Sequence, residues 1–560
     1  MELLQSPLER ERSHQNPPIP PFLEELASLN VYLGEDFLCE AAAEKELQQL
    51  FPNTCKRKII DFKPGKLQIQ KSPLRVGVLF SGGQAPGGHN VIAGLFDALK
   101  ILHQDSILIG FLGGPKGLIN NEAIEIDEEE ILPYRNQGGF DLLGSGRDKI
   151  EREEDLRRTQ ETVLQRRLDG LVIIGGDDSN TNAAHLAELF LKNGSDCQVV
   201  GVPKTIDGDL KNDYIETSFG FDTAAKVYSY IIGNLARDAL SAGKYYFFVK
   251  MMGRSASHMT LEAALQTHPN MTLISEDIAS FGKNLSELVE EMADLICERA
   301  KKNKNYGLIL IPEGVIEFID DFKTLIQEVN QILSANKQNS LEVLIEGLSE
   351  KARDCFYLVP LDIQKQILME RDPHGNVQVS KIETERLFIT MVEKELENRR
   401  QRGEYQGKFN AQPYFCGYEG RSTFPSLFDA SYCYALGRVA ALLVRDHATG
   451  YMACVRGLTR PVKHWQPSGI PIVPMMHFEE RKGQIKAVVK KALVDLEGIP
   501  YLNYLHHAPQ WRLEDNYRYP GPIQFFGPIE LSLMTTMTLL LERSGAPNED
   551  VHKAISAFNI

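Results

Sequence analysis

Four short apolar runs, each closed by glycine, proline or a loop and followed by helical periodicity, constrain this chain most: Val76–Phe80, Ile107–Phe111, Leu171–Ile174 and Val199–Val202. Runs this short and this uniformly apolar suit strands buried on both faces of a parallel sheet. After the first, Ile92, Leu95, Phe96, Leu99 and Leu102 recur at helical spacing and lay one apolar stripe along a helix. Strand, glycine turn and helix in repetition predict a doubly wound α/β domain. Tyr245–Met251 and Leu308–Ile311 suggest a second one.

The expected organisation is an N-terminal extension over 1–74, an α/β domain over 75–245, a second over 246–480 and a C-terminal helical segment over 481–560. The second domain carries a charged, helix-like insertion at about 320–400. The extension is rich in proline, with amphipathic patches at Phe22–Leu29 and Ala41–Leu50, and a last amphipathic helix is expected from Gly527 to Leu541. The acids of 125–130 read as a solvated face, because carboxylates so closely strung repel one another into water.

Charge narrows the partners. Lys+Arg 61 against Asp+Glu 76 leaves −15, which argues against general binding to nucleic acid or an anionic membrane. An anionic ligand must then meet a local cluster of Lys and Arg. The eight cysteines are scattered without a C-x-x-C pair and read as reduced thiols. The N-terminal residues lack the basic start and apolar run of a secretory signal, and no stretch approaches the roughly 20 apolar residues of a membrane helix. A cytoplasmic location is expected.

Ligands of open α/β sheets bind beyond the carboxyl ends of the strands, which directs attention to three segments. Ser81-Gly-Gly-Gln-Ala-Pro-Gly-Gly88 follows the first run. It fits neither G-x-G-x-x-G, which needs glycine at Gln84, nor a Walker loop, which needs lysine at His89. It is either an anion cradle built from backbone amides at a helix start or a tight turn without a ligand. Gly175-Gly-Asp-Asp-Ser179 places two acids at the next helix start. Capping explains one of them, and the other suits Mg²⁺, which takes carboxylate and phosphate oxygens. Pro203-Lys-Thr-Ile-Asp-Gly-Asp209 sets a lysine, a hydroxyl and two acids in one turn. Lys204 and Asp207 make either a surface ion pair or a cation for phosphoryl oxygens beside a base for an attacking alcohol.

Together with Met252-Gly-Arg254, Pro312-Glu-Gly314 and Tyr418-Glu-Gly-Arg421, these segments resemble in order and spacing the phosphofructokinase superfamily, most closely its long diphosphate-dependent form and the plant β-subunit type. The resemblance implies two Rossmann-like domains and reversible phosphoryl transfer from diphosphate to the 1-hydroxyl of fructose 6-phosphate, with Mg²⁺. It implies that Gly82 gives its amide to the diphosphate, that Arg147 is a second phosphate contact and that Asp177 holds the metal. Asp207 matches the base, with Thr205 and Ile206 lining its turn and Asp209 as a helper. Met252, Gly253, Arg254, Glu313, Tyr418 and Arg421 match sugar-phosphate contacts, with Glu419 and Gly420 in the same turn. Lys244 and Tyr245 fall where the family reaches into a neighbouring subunit's site, which implies at least a homodimer; an ordinary strand edge is the other reading of that pair. In ATP-using relatives glycines stand at the positions of Asp178 and Lys204, so these two side chains are expected to select diphosphate. Two rivals stay open: an ATP-dependent phosphofructokinase, and a catalytically silent regulatory subunit of the same fold.

Overall fold

The computed structural model describes residues 6–40, 43–335, 341–369, 377–481, 484–521, 523 and 529–543. They fall in two compact units, one drawn from Met1–Ala224, Tyr418–Ala492 and Ile523–Thr535, the other from Ala225–Gly417, Leu493–Pro522 and Thr536–Ile560.

Along the chain, the helix Pro7–Ser13 (α1) precedes the strands Leu29–Asp36 (β1) and Lys58–Pro64 (β2). The α/β repeat then runs through Arg75–Ser81 (β3), Gly88–Leu102 (α2), Ile107–Phe111 (β4), Ala123–Ile126 (β5), Gly170–Gly175 (β6), Asp177–Lys192 (α3) and Gln198–Thr205 (β7). In the second unit come Tyr245–Met251 (β8), Met271–Thr272 (β9), Tyr306–Pro312 (β10) and Ala411–Cys416 (β11). The chain returns to the first unit with Leu427–Arg445 (α4), Tyr451–Arg456 (β12) and Gln466–Pro471 (β13).

The first unit's sheet has the order β1-β2-β13-β12-β7-β6-β3-β4-β5, and its central strands β12, β7, β6, β3 and β4 are parallel. The apolar runs fill its middle: Val76, Val78, Leu79, Phe80, Leu171, Val172, Ile174, Val199, Val200 and Val202 are all fully buried. Helix α4 covers this sheet and packs on α2. Bare glycines allow the approach, since a Cβ on Gly94 would lie 2.1 Å from the Tyr434 carbonyl oxygen and one on Gly437 2.1 Å from that of Val91.

Several sequence expectations change here. The second domain does not extend to 480: Tyr418–Ala492 belongs to the first unit, because β12 and β13 extend that unit's sheet. The 1–74 segment is not a separate extension; β2 joins β13 through Asp61–Ser468 and Ile60–Gly469, burying Ile59, Ile60 and Phe62. Phe22–Leu29 makes two 3₁₀ turns, Pro21–Leu23 and Leu26–Ser28, and Ala41–Leu50 a helix at Glu44–Leu50, with residues 41–42 outside the described part. Contrary to the apolar-run reading, α4 is long and apolar enough to cross a membrane, with mean hydropathy 1.4, and all of it is buried.

The second unit carries a parallel sheet in the order β9-β10-β8-β11. The helices Asp320–Ala335, Glu350–Leu358 and Thr384–Gln401 of the expected insertion share one core with it, Phe322, Phe356 and Leu387 packing with Phe248, Ile309 and Ile311. The C-terminal segment is not uniformly helical: Gln484–Val489 pairs as a strand with Met476–Arg481 in the first unit, and Ile499–Leu513 is a helix of the second. The helix expected over Gly527–Leu541 lies partly outside the described residues and otherwise divides into Ile529–Ser532 and Met537–Glu542. A new helix starts there because the buried Glu262 carboxylate accepts the amides of Met537 (2.8 Å) and Thr538 (2.7 Å).

Candidate active site

In the first unit the glycine loop leaves β3 at Ser81 and enters α2 at Gly88, with Gly82 at φ +87° and Gly87 at φ +103°, conformations that suit residues without a Cβ. The Gly82 N–H donates to the Gly146 carbonyl at 2.8 Å, where the short strand Ser145–Gly146 pairs with β3. What the glycines provide is room for cations. A Cβ on Gly82 would stand 3.2 Å from Lys204 Nζ, and one on Gly83 would stand 2.2 Å from Arg421 Nη2 and 3.7 Å from Arg147 Nη2. Lys204 Nζ donates to the Gly83 carbonyl at 2.7 Å, and Arg421 Nη2 to Gln84 Oε1 at 3.1 Å.

Lys204 is 6% exposed. Burial pushes its ammonium down to about 8, Asp207 opposes this, and the positive charges of Arg421 and Arg147 add to it. Three cations gathered around one glycine, one of them desolvated, favour a compact ligand with several negative charges. Lys204 and Thr205 are not in the turn, as expected, but close strand β7, pairing in parallel with Phe219 and Gly220. The turn proper follows at the buried Ile206, with Asp207 N–H donating to Thr205 Oγ1 at 3.0 Å and Gly208 at φ +75°.

The acids gather beside these cations. Asp177 opens α3, and its Oδ2 lies 3.7 Å from Lys491 Nζ, which is 4.0 Å from Asp209 Oδ2. Burial, then the charges of Asp207 and Asp177, push the Asp209 carboxyl up to about 7, the Lys491 ammonium opposing. Asp178 projects to the half-exposed side, its Oδ1 3.4 Å from Lys149 Nζ. Among the described residues no three His, Cys, Asp or Glu are grouped as a closed metal site. One or two carboxylates completed by phosphate oxygens and water is nevertheless the donor set that suits Mg²⁺, and Asp177 with Asp209 fits it.

In the second unit, Met252, Gly253 and Arg254 follow β8, and Glu313 follows its parallel neighbour β10. Glu313 N–H donates to the Met251 carbonyl at 2.8 Å, Gly253 adopts φ +122°, and a Cβ on Gly314 would lie 1.9 Å from the Arg254 carbonyl oxygen. Met252 and Glu313 are buried and Arg254 is exposed. Below them Lys250 and Glu385 form a buried ion pair at 3.2 Å. Lys244 is exposed, its ammonium 5.0 Å from the Tyr245 ring centroid, and Tyr245 holds φ +77°.

Tyr418, Glu419 and Gly420 form a 3₁₀ turn closed by Arg421 N–H on the Tyr418 carbonyl at 3.0 Å. The Arg421 guanidinium lies 5.4 Å from the Tyr418 ring centroid. The structure therefore gathers Gly82, Arg147, Lys204 and Arg421 in one cluster of the first unit, whereas Met252, Gly253, Arg254 and Glu313 make another in the second. Sequence reasoning missed Lys491, Lys149 and Gln84. The basic pair Lys490-Lys491 after an apolar run was the one local signal for the first of them.

Parallel α/β units with cations and acids crowded onto glycine turns at their strand ends define a protein built to handle phosphate. The phosphofructokinase family matches residues 75–363, and the chain belongs to it. It is 50% identical to the pyrophosphate–fructose 6-phosphate 1-phosphotransferase of Treponema pallidum over 89% of this chain and 90% of that one. It is 49% identical to subunit beta 1 of the Arabidopsis thaliana enzyme of that name, over 89% and 88% of the two chains. The fold is similar to that of the pyrophosphate-dependent phosphofructokinase of Marinobacter aquaeolei, with TM-score 0.52 and 14% identity over 81% of this chain and 98% of that one.

Proposed function

We propose that the chain transfers a phosphoryl group reversibly between diphosphate and the 1-hydroxyl of fructose 6-phosphate. The observation that carries this reading is the convergence of Lys204, Arg147 and Arg421 on Gly83, with Asp207 next to Lys204. Lys204 and Arg147 hold the diphosphate and, with Arg421 beside them, take up charge as it spreads over the transferred group and the leaving phosphate, an effect that fixed charges supply best in a water-poor site. Asp207 accepts the proton of the sugar hydroxyl. Arg254 and Glu313 hold the sugar phosphate, so that much of the acceleration comes from placement. Asp177, with Asp209 beside it, would hold Mg²⁺, which supplies charge neutralisation at the phosphate oxygens when bound.

Lys204 fills from β7 the space over Gly82, and Asp178 adds a carboxylate at the start of α3. A nucleotide's α-phosphate would be repelled by that carboxylate, whereas diphosphate has none to place there. The same proposal includes a cytoplasmic homodimer, to which the exposed Lys244 and the half-buried Tyr245 would lend their side chains.

The test is a coupled assay with fructose 6-phosphate and Mg²⁺, run in parallel with diphosphate and with ATP. Turnover with diphosphate is expected; turnover with ATP alone selects the ATP-dependent rival, and turnover with neither selects the silent subunit. Asp178→Gly should lower the diphosphate rate and raise the ATP rate, and no change in either removes Asp178 as a selector.

A further inference from the structure

Arg421 is joined to α4 by the short segment 422–425, and helix α1 grips that segment. The Arg12 guanidinium, 6% exposed, donates through Nη2 to the Pro425 carbonyl at 2.9 Å and lies 4.7 Å from the Phe424 ring centroid. On the opposite flank Gly138 lies against the same segment; a Cβ there would stand 2.1 Å from the Ser422 carbonyl oxygen and 2.3 Å from that of Thr423. Helix α1 is itself tied to the Gly138 loop. Asn136, 1% exposed and at φ +57°, donates through Nδ2 to the carbonyls of Arg12 and Gln15, both at 2.7 Å, and Gln137 Nε2 donates to that of Glu9 at 2.9 Å. Asn136 Oδ1 accepts from Asn90 Nδ2 at 2.7 Å, which links the same loop to the start of α2, directly after the glycine loop.

A helix of seven residues has little stability of its own, and desolvating a guanidinium is unfavourable unless its donors are used. Both are offset here by the Arg12 contacts to Phe424 and Pro425 and by the bonds to Asn136 and Gln137, whose neighbour Gly138 lies against Ser422 and Thr423. A cavity of about 590 Å³, lined by Glu9, Gln84, Tyr134, Gln137, Asp141 and Thr423 among others, opens beside the segment, so core packing does not hold it from that side. Arg421 meanwhile has to keep its guanidinium over Gly83.

We propose that α1 is a strap that fixes Arg421, and that Arg12 is a positioning residue for the phosphate ligand Arg421 meets. This rests on the function proposed above. Without the Arg12 guanidinium the 422–425 segment moves, and the Arg421 guanidinium moves with it away from Arg147 and Lys204. A displaced guanidinium weakens ligand binding more than it slows a transfer whose base, Asp207, is elsewhere.

The experiment compares the full chain with Arg12→Met and Arg12→Lys, measuring kcat, the KM for diphosphate and for fructose 6-phosphate, and Tm. Arg12→Met is expected to raise one of the two KM values by roughly 10-fold to 100-fold, the scale of a misplaced contact, with a smaller change in kcat. Arg12→Lys keeps a donor for the Pro425 carbonyl and should recover part of that loss. Wild-type KM values for both substrates, or a loss confined to kcat and Tm, would overturn the strap. If Arg12→Met does not fold, Arg12→Lys decides: a raised KM supports the proposal and wild-type values refute it. If the wild type turns over with neither donor, the functional reading falls, and calorimetric titration with diphosphate and with fructose 6-phosphate judges the strap separately. Weaker binding of either ligand by the variants upholds it and unchanged binding of both ends it.

Discussion

The two units carry their site residues at the same place, the carboxyl ends of parallel strands, and use opposite means to fix them. In the first unit the means is charge placed out of water: Lys204 and Asp209 are each 6% exposed, with Asp207, Asp177, Arg147 and Arg421 around them. In the second it is backbone shape. Arg254 is exposed, and its turn is set by Gly253 at φ +122°, by the Glu313 amide and by the bare Gly314 against the Arg254 carbonyl. Stabilising charge that develops during a reaction calls for fixed charges in a dry site, whereas holding a substrate in register calls for accurate placement, and under the proposed function each unit would serve one of these tasks.

Asp207→Asn is the most forceful way to break that division. It removes the proposed base from the charged unit and should lower kcat by roughly 10²- to 10⁴-fold, the usual contribution of a general base. The KM for fructose 6-phosphate and Tm should stay near the wild-type values; a kcat near wild type would remove Asp207 from the chemistry. Gly314→Ala attacks the other unit through sterics, because the new methyl would lie 1.9 Å from the Arg254 carbonyl oxygen. Overpacking of this kind costs about 1–3 kcal/mol. Steady-state kinetics should show a higher KM for fructose 6-phosphate with the diphosphate KM preserved, and a matched rise in both would blur the comparison.

The smallest effect concerns pH. The wholly buried Asp429 of α4 accepts the amides of Gly220 (3.1 Å) and Thr223 (2.9 Å), behind the end of β7. Burial, then the charge of Asp222, push its carboxyl up to about 7, above the ordinary value of about 4. A carboxyl that holds its proton more tightly when folded adds stability below its ordinary pKa and loses that contribution as pH rises toward 7. Asp429→Asn should flatten the decline of Tm between about pH 4 and 7, whereas a slope unchanged from wild type would show that Asp429 does not titrate in that window.

The parts of this molecule that were legible in the sequence are those whose local text fixes their environment. Strands β3, β4, β6 and β7 are short, uniformly apolar runs because both faces of a parallel sheet are covered, and the six motifs carry their chemistry in adjacent residues. Strands at the margin of the sheet are harder to read: in the edge strand β1 and its neighbour β2, Asp36 and Lys58 face solvent and interrupt the apolar pattern. Which sheet a strand joins is not written locally at all, so the return of Tyr418–Ala492 to the first unit went unseen. Lys491 reaches Asp177 and Asp209 from about 300 residues away, a convergence no spacing rule describes.

One consequence of this threading appears before the protein is finished. Strand β7 pairs with β12, and its Val199 amide donates to Thr449, 250 residues further along. At ribosomal speeds of about 5–20 residues per second, that edge of the sheet emerges on the order of 10–50 s before its partner. Throughout that interval the nascent chain presents an apolar strand with open hydrogen-bonding groups, the template on which other chains add.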